Sequence, residues 1–308
     1  MRNRFRGWTA CMPLSALLVA FGGVALLALD QQTNPQTATP APASAPWFTA
    51  TQVAEKVWRI SDRGVDNVYL VEGQEKALLI DTGIGVADLA RFAATLTSLP
   101  LQVINTHGHP DHTGSNFQFE KVLAHPSDFE LIRRFSTAEM HANVARGMTQ
   151  GTLPADSVEY RDVGDKNLAA IAGGQVLDLG RRRIEVIETP GHTRGSVCLL
   201  DLENRLLFTG DNDNTLVWLF LADCAPLEIY VQSLEKLAGR KKEFDRILPG
   251  HGAPLDTEFL GEQIACARSI LDGSCAGAPY QSFAGSGLLC TYKRAVIAYN
   301  PDNLRVKE

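Results

Sequence analysis

The sequence predicts an α/β domain in which helices pack outside two stacked sheets, a four-layer αββα sandwich. Two observations carry that reading. Short apolar strands alternate with amphipathic helices along the folded part of the chain. In addition, every cluster of candidate metal ligands stands directly after a predicted strand, as expected of loops gathered at one sheet edge.

VDNVYLVE (65–72) and KALLID (76–81) read as a strand pair around Gly73, followed by the turn Asp81-Thr82-Gly83 and a helix from Val86 to about Leu96. LQVINT (101–106) and VLAH (122–125) are strands. Residues 126–150 look helical, with Pro126-Ser127-Asp128 as a start signal, and 151–174 are irregular and rich in Gly and Ala. RRIEVIET (182–189), SVCLLDL (196–202) and RLLFTG (205–210) give three more strands. PLEIYVQSLEKLAG (226–239) is a helix, because Leu227, Tyr230, Leu234 and Leu237 repeat on one face. DRILPG (245–250) is a strand end, 257–272 a helix, and YKRAVIAYN (292–300) a closing strand.

The N-terminus differs in kind. Arg2, Arg4 and Arg6 precede a charge-free apolar run from Gly7 to Leu29, so residues 1–29 read as a signal peptide or membrane anchor. The run is long enough for the roughly 20 residues of a spanning helix, and its end lacks a good small-x-small cleavage pattern, which favours an uncleaved anchor. Residues 30–46 are mostly Pro, Ala, Thr and Gln without an aromatic, a composition that buries too little apolar area to fold and reads as a disordered tether. The folded domain is therefore expected at 47–308. It would be exported, either periplasmic or anchored to the inner membrane and facing outward. A formal net charge of −6 with scattered basic residues offers no face for nucleic acid. Cys198 lies in a strand; Cys224, Cys266, Cys275 and Cys290 allow three disulfide pairings, among which sequence does not choose.

LQVINT runs into His107-Gly108-His109-Pro110-Asp111-His112, RRIEVIET into Pro190-Gly191-His192, RLLFTG into Asp211, and DRILPG into His251. In an extended segment residues i and i+2 point the same way, so His107 and His109 can share an ion; Pro110 and the next turn bring Asp111 and His112 towards a second. One tetrahedral catalytic ion needs three protein ligands, whereas this many ligands serve two. Five of the seven histidines fall in these loops, which core packing does not explain. The other two, His125 and His141, read as surface or helix-cap residues.

The HxHxDH run, Gly-His-Thr-x-Gly-Ser (191–196), the pair Gly210-Asp211 and Pro-Gly-His-Gly (249–252) together resemble the metallo-β-lactamase-fold superfamily, with a glyoxalase II-like ligand set. Asp81, in Ile-Asp-Thr-Gly, is similar to its first motif. The resemblance implies one ion on His107, His109 and His192, a second on Asp111, His112 and His251, and Asp211 bridging. Asp81 would orient a ligand from behind, and Asp111 would hold the nucleophile. The ions would be divalent, zinc first, with iron or manganese as alternatives.

The implied activity is metal-dependent hydrolysis of a small ester, thioester or lactone. β-Lactam hydrolysis is the enzymatic alternative; β-lactamases of this superfamily carry Cys or Ser where Asp211 stands. A non-catalytic metal-binding sensor or scaffold is the alternative of another class. Trp218 and Phe220, with the 126–175 insertion, are candidates for the substrate wall.

Overall fold

The computed structural model describes residues 46–154, 157–164 and 166–307. The predicted anchor and the tether, apart from Pro46, lie outside these residues. Among the described residues no helix is long and apolar enough to cross a membrane.

The first sheet runs in chain order: β1 (Phe48–Ala54), β2 (Val57–Asp62), β3 (Asp66–Glu72), β4 (Ala77–Ile80), β5 (Leu101–Ile104), β6 (Val122–Ala124) and β7 (Leu168–Ala170). The second contains β8 (Val176–Asp178), β9 (Arg183–Glu188), β10 (Val197–Asp201), β11 (Leu206–Gly210), β13 (Arg246–Pro249) and β14 (Leu255–Asp256). β12 (Leu216–Leu219), β15 (Ala278–Ser282), β16 (Gly285–Tyr292) and β17 (Ala295–Tyr299) make a third, smaller sheet. The helices are α1 (Leu89–Leu96), the single turn α2 (Pro110–Thr113), α3 (Phe129–Phe135), α4 (Ala138–Met148), α5 (Leu227–Gly239) and α6 (Glu258–Leu271).

Period-two alternation assigns the layers. On β3, Val68 and Leu70 join Leu89 and Ala93 of α1 in the outer core, while Tyr69 and Val71 turn inward to the second sheet. On β10, Val197 and Leu199 face the first sheet; Cys198 and Leu200 pack under Leu227, Tyr230 and Leu234 of α5. Both faces of both sheets are therefore covered, which explains why β4, β10 and β11 are buried along their whole length. At the centre Tyr69 and Phe208 meet edge-on, with ring centroids 5.2 Å apart. This is the expected four-layer αββα sandwich.

The direction of the strands places the site. β4, β5 and β6 are parallel, so their C-terminal ends share an edge. β9 and β11 are both antiparallel to β10, and β13 is parallel to β11, so these three also end together. All the ligand-bearing loops follow those ends.

Local boundaries shift for identifiable reasons. The helix expected from Val86 starts at Leu89: Val86 and Ala87 are buried in the outer core, and Asp88 caps the helix by accepting from the Arg91 amide at 2.9 Å. The expected helix over 126–150 is broken after Phe135, and Thr137 caps α4 through the Met140 amide. The single closing strand at 292–300 is a hairpin, because Lys293 adopts φ 52° and turns the chain between β16 and β17. Of the open disulfide pairings, Cys275–Cys290 forms; Cys224 and Cys266 are buried thiols.

Candidate metal centre

His107, His109, His112 and His192 are buried at the strand ends, while Asp111, Asp211 and His251 are partly exposed and form the mouth. Ligand atoms of His107, His109 and His192 lie within 4.8 Å of one another. The same holds for Asp111, His112 and His251, and for His107, His112 and Asp211. Asp211 joins the two sides: its Oδ2 stands 3.6 Å from His192 Nε2 and 3.1 Å from His251 Nε2. Gly250 permits this approach, since a Cβ there would fall 2.5 Å from Asp211 Oδ1. All seven ligands expected from sequence are thus brought together. His125 and His141 are not: His125 lies 3.3 Å from Glu188, and His141 stacks on Tyr160.

The outer nitrogen of each imidazole is committed, and this fixes where its other nitrogen points. The Trp218 carbonyl, which can only accept, takes a hydrogen bond from His192 Nδ1 at 2.7 Å; the Val65 carbonyl does the same for His251 Nδ1 at 2.7 Å. Asp81 Oδ2 accepts from His112 Nδ1 at 3.0 Å. The Thr106 hydroxyl donates to Asp81 at 2.8 Å, so its oxygen is left to accept from His107 Nδ1 at 3.0 Å. Asp223 Oδ2 accepts from His109 Nε2 at 2.6 Å. Every imidazole therefore turns its second nitrogen inward.

The consequences are visible in the distances. His109 Nδ1 and His192 Nε2 face each other at 2.8 Å, and His112 Nε2 and His251 Nε2 at 3.4 Å. His107 Nε2 and Asp211 Oδ1 are buried without a hydrogen-bond partner, though His112 Nε2 lies 3.4 Å from the Asp211 oxygen. Nitrogens and carboxylate oxygens gathered this closely in a buried place could hold a metal ion. Imidazole nitrogen and carboxylate oxygen are donors that suit a divalent metal ion.

Charge separates the two sides. Burial, then His112 and His192, hold His107 well below the ordinary histidine range; burial and His109 lower His192 to about 4. Burial would also lower His112 and His251. There it is outweighed by carboxylates, chiefly Asp211, and both stand well above the usual range. Burial opposes the ionisation of Asp111, but His112 and His251 prevail and lower it to about 2.

Two supports escaped the sequence reading, and a third, Asp81, was expected from it. Asp223 holds His109 from a loop 114 residues away. Asp128, read from sequence only as part of a helix start, accepts from the amides of Gly108 and Gly195, each at 2.8 Å, and so clamps two ligand loops together. Asp81 sits at φ 66°, a left-handed conformation tolerated by Asp, and from it accepts the Thr106 amide at 2.7 Å. Of the expected substrate wall, Trp218 borders the cluster through its carbonyl, whereas Phe220 is buried. The helical insertion reaches the rim at Arg134, 3.8 Å from Asp223.

The family model of the Metallo-beta-lactamase superfamily matches residues 61–251, the stretch that carries all seven ligands. The chain belongs to this superfamily. It is 28% identical over 241 residues to the Acyl-coenzyme A thioesterase MBLAC2 of Homo sapiens, covering 70% of this chain and 84% of the relative. It is 35% identical over 220 residues to a Hydroxyacylglutathione hydrolase of Anaeromyxobacter dehalogenans, covering 70% and 71%. A metallo-beta-lactamase from Pontibacter korlensis shares the fold, with a TM-score of 0.51 and 19% identity over 72% of this chain and 99% of that one. The protein is a metal-dependent hydrolase.

Proposed function

We propose that the protein hydrolyses acyl thioesters with two divalent ions, most simply zinc. His107, His109 and His192 would hold one ion, and Asp111, His112 and His251 the other, with Asp211 shared. The observation that carries this reading is the convergence of five inward-facing imidazole nitrogens, two pairs of them facing at 2.8 and 3.4 Å. When bound, such ions polarise a carbonyl oxygen and make water nucleophilic near neutral pH.

The remaining work falls to the chain. Asp111 stays ionised with its Oδ2 3.4 Å from His251 Nε2, at the open side of the cluster, where it can orient the attacking water and accept its proton. Asp81 and Asp223 keep His112 and His109 in the tautomers that ligation requires. Thioesters are favoured over other acyl compounds because one relative named above is called an acyl-coenzyme A thioesterase and the other a hydrolase of hydroxyacylglutathione, an acyl group on a thiol. We further propose that residues 1–29 deliver the domain across the inner membrane, a reading that rests on the arginines and apolar run alone.

The test is turnover of thioester, lactone and β-lactam substrates by the full-length, metal-loaded protein. Thioester hydrolysis should be fastest, should vanish on chelation, and should fall about 10²–10⁴-fold in Asp111→Ala. Fastest turnover of a β-lactam, or turnover indifferent to chelation, would refute the reading.

A further inference from the structure

Resting on the thioester reading, we infer that Trp218, Tyr280 and Phe283 form an apolar shelf that holds the substrate's acyl chain beside the metal cluster, so that medium-chain thioesters are preferred over short ones.

Four aromatic residues meet here. Trp218 lies 5.2 Å from Phe220, 6.5 Å from Tyr280 and 5.6 Å from Phe283, measured between ring centroids. Phe220 is buried and packs on Tyr280 at 5.7 Å, so it forms the base. Trp218 Nε1 donates to the Tyr280 hydroxyl at 3.0 Å, which fixes the indole against the hairpin. Phe283 lies over Trp218 and is 69% exposed, more than any other large apolar residue among those described.

Phe283 is not explained by the fold. It sits in the turn of the β15–β16 hairpin, where Ser282 pairs with Gly285; such a turn asks for Gly, Asn or Asp, not a large aromatic. The turn is nonetheless held in place: the Ser282 hydroxyl accepts from the Ala284 amide at 3.1 Å, and Gln281 Nε2 donates to the Gly285 carbonyl at 3.2 Å. An anchored, exposed Phe is suited to receive an apolar group.

Continuity with the cluster names the occupant. The same residue, Trp218, gives its ring to the shelf and its carbonyl to His192. The shelf is thus tied through one residue to the His192 side of the cluster, where the acyl half of a thioester would lie on this reading. The hairpin also lies beyond the stretch matched by the family model, which stops at 251. Trp218 and Phe220, by contrast, lie within that stretch.

The experiment is kcat/KM for N-acetylcysteamine thioesters from acetyl to octanoyl, using the full-length, metal-loaded protein. The unaltered protein should gain with length, by up to roughly fourfold per methylene that is fully covered. Phe283→Ser should flatten the series, with a loss that grows with length and reaches about tenfold at octanoyl. Tyr280→Phe, which keeps the ring but frees the indole, should raise KM for octanoyl with less effect on kcat. Val176→Ser, at another exposed apolar residue far along the chain, serves as control. Equal losses at all lengths, or none, would overturn the shelf. Calorimetry with the uncleavable S-octyl thioether separates the two readings. Phe283-dependent binding without any thioester turnover leaves the shelf standing and removes the thioesterase; binding indifferent to Phe283→Ser removes the shelf.

Discussion

The two ends of the sandwich both bury charge, and they do so in opposite ways. At the end away from the metal centre, Arg182 and Asp201 form an ion pair that is almost wholly buried. Every group there is used. Arg182 Nε donates to Asp201 at 3.1 Å, Nη2 donates to the same carboxylate, and Nη1 reaches the carbonyls of Glu55, Lys56 and Glu72. Asp201 Oδ1 also accepts from the amides of Glu203 and Asn204. At the other end the imidazoles commit their outer nitrogens and leave the inner ones facing each other. A saturated buried network needs nothing further and clasps the sheets together. An unsaturated one is incomplete without a ligand, and the structure around it exists to keep it so.

If that distinction holds, the ends should fail differently. Arg182→Ala leaves Asp201 charged, buried and unpaired, and should destabilise the protein by about 3–5 kcal/mol in denaturant melts. Metal content and turnover per folded molecule should stay unchanged; a loss of metal would mean the ends are coupled. Asp223→Ala should do the reverse. It frees His109 to flip or change tautomer, and should weaken metal binding by about 10–100-fold in chelator competition while leaving the melt of the metal-free protein nearly in place. A smaller effect separates the two sides of the cluster. His112 and His251 are raised above the usual range, so they must lose protons when an ion binds, and affinity on their side should fall as pH falls. His107 and His192 are lowered and already neutral near pH 7, so their side should be far less sensitive. One pH unit below neutral should cost the Asp111 side about tenfold per displaced proton, read by metal titration at two pH values. Equal loss from both sides would break this part of the comparison.

The contrast also shows what a sequence can display. The ligands were legible because each follows a strand whose apolar alternation is itself readable, and because His107, His109, Asp111 and His112 occupy one short run. Asp223 and Asp128 were not, since their partners are fixed only by the fold: nothing near Asp223 in the chain marks it as the acceptor for His109. The Arg182–Asp201 clasp was hidden for the same reason. Within the Arg181-Arg182-Arg183 run, only Arg182 is buried, and strand register alone decides that. β15 and β16 were lost to composition, because Pro279, Gly285 and Gly287 dilute the strand signal. The turn at Lys293 was invisible because φ 52° is demanded of a residue with no turn preference.

The central claim is that the facing nitrogens and the orphaned atoms of His107 and Asp211 are the two halves of a dinuclear centre. Elemental analysis of the full-length protein, saturated with zinc at neutral pH and freed of excess metal, tests it most directly. The account predicts two ions per chain, and one in Asp111→Ala, where the three histidines His107, His109 and His192 remain. One ion or none in the unaltered protein would contradict it.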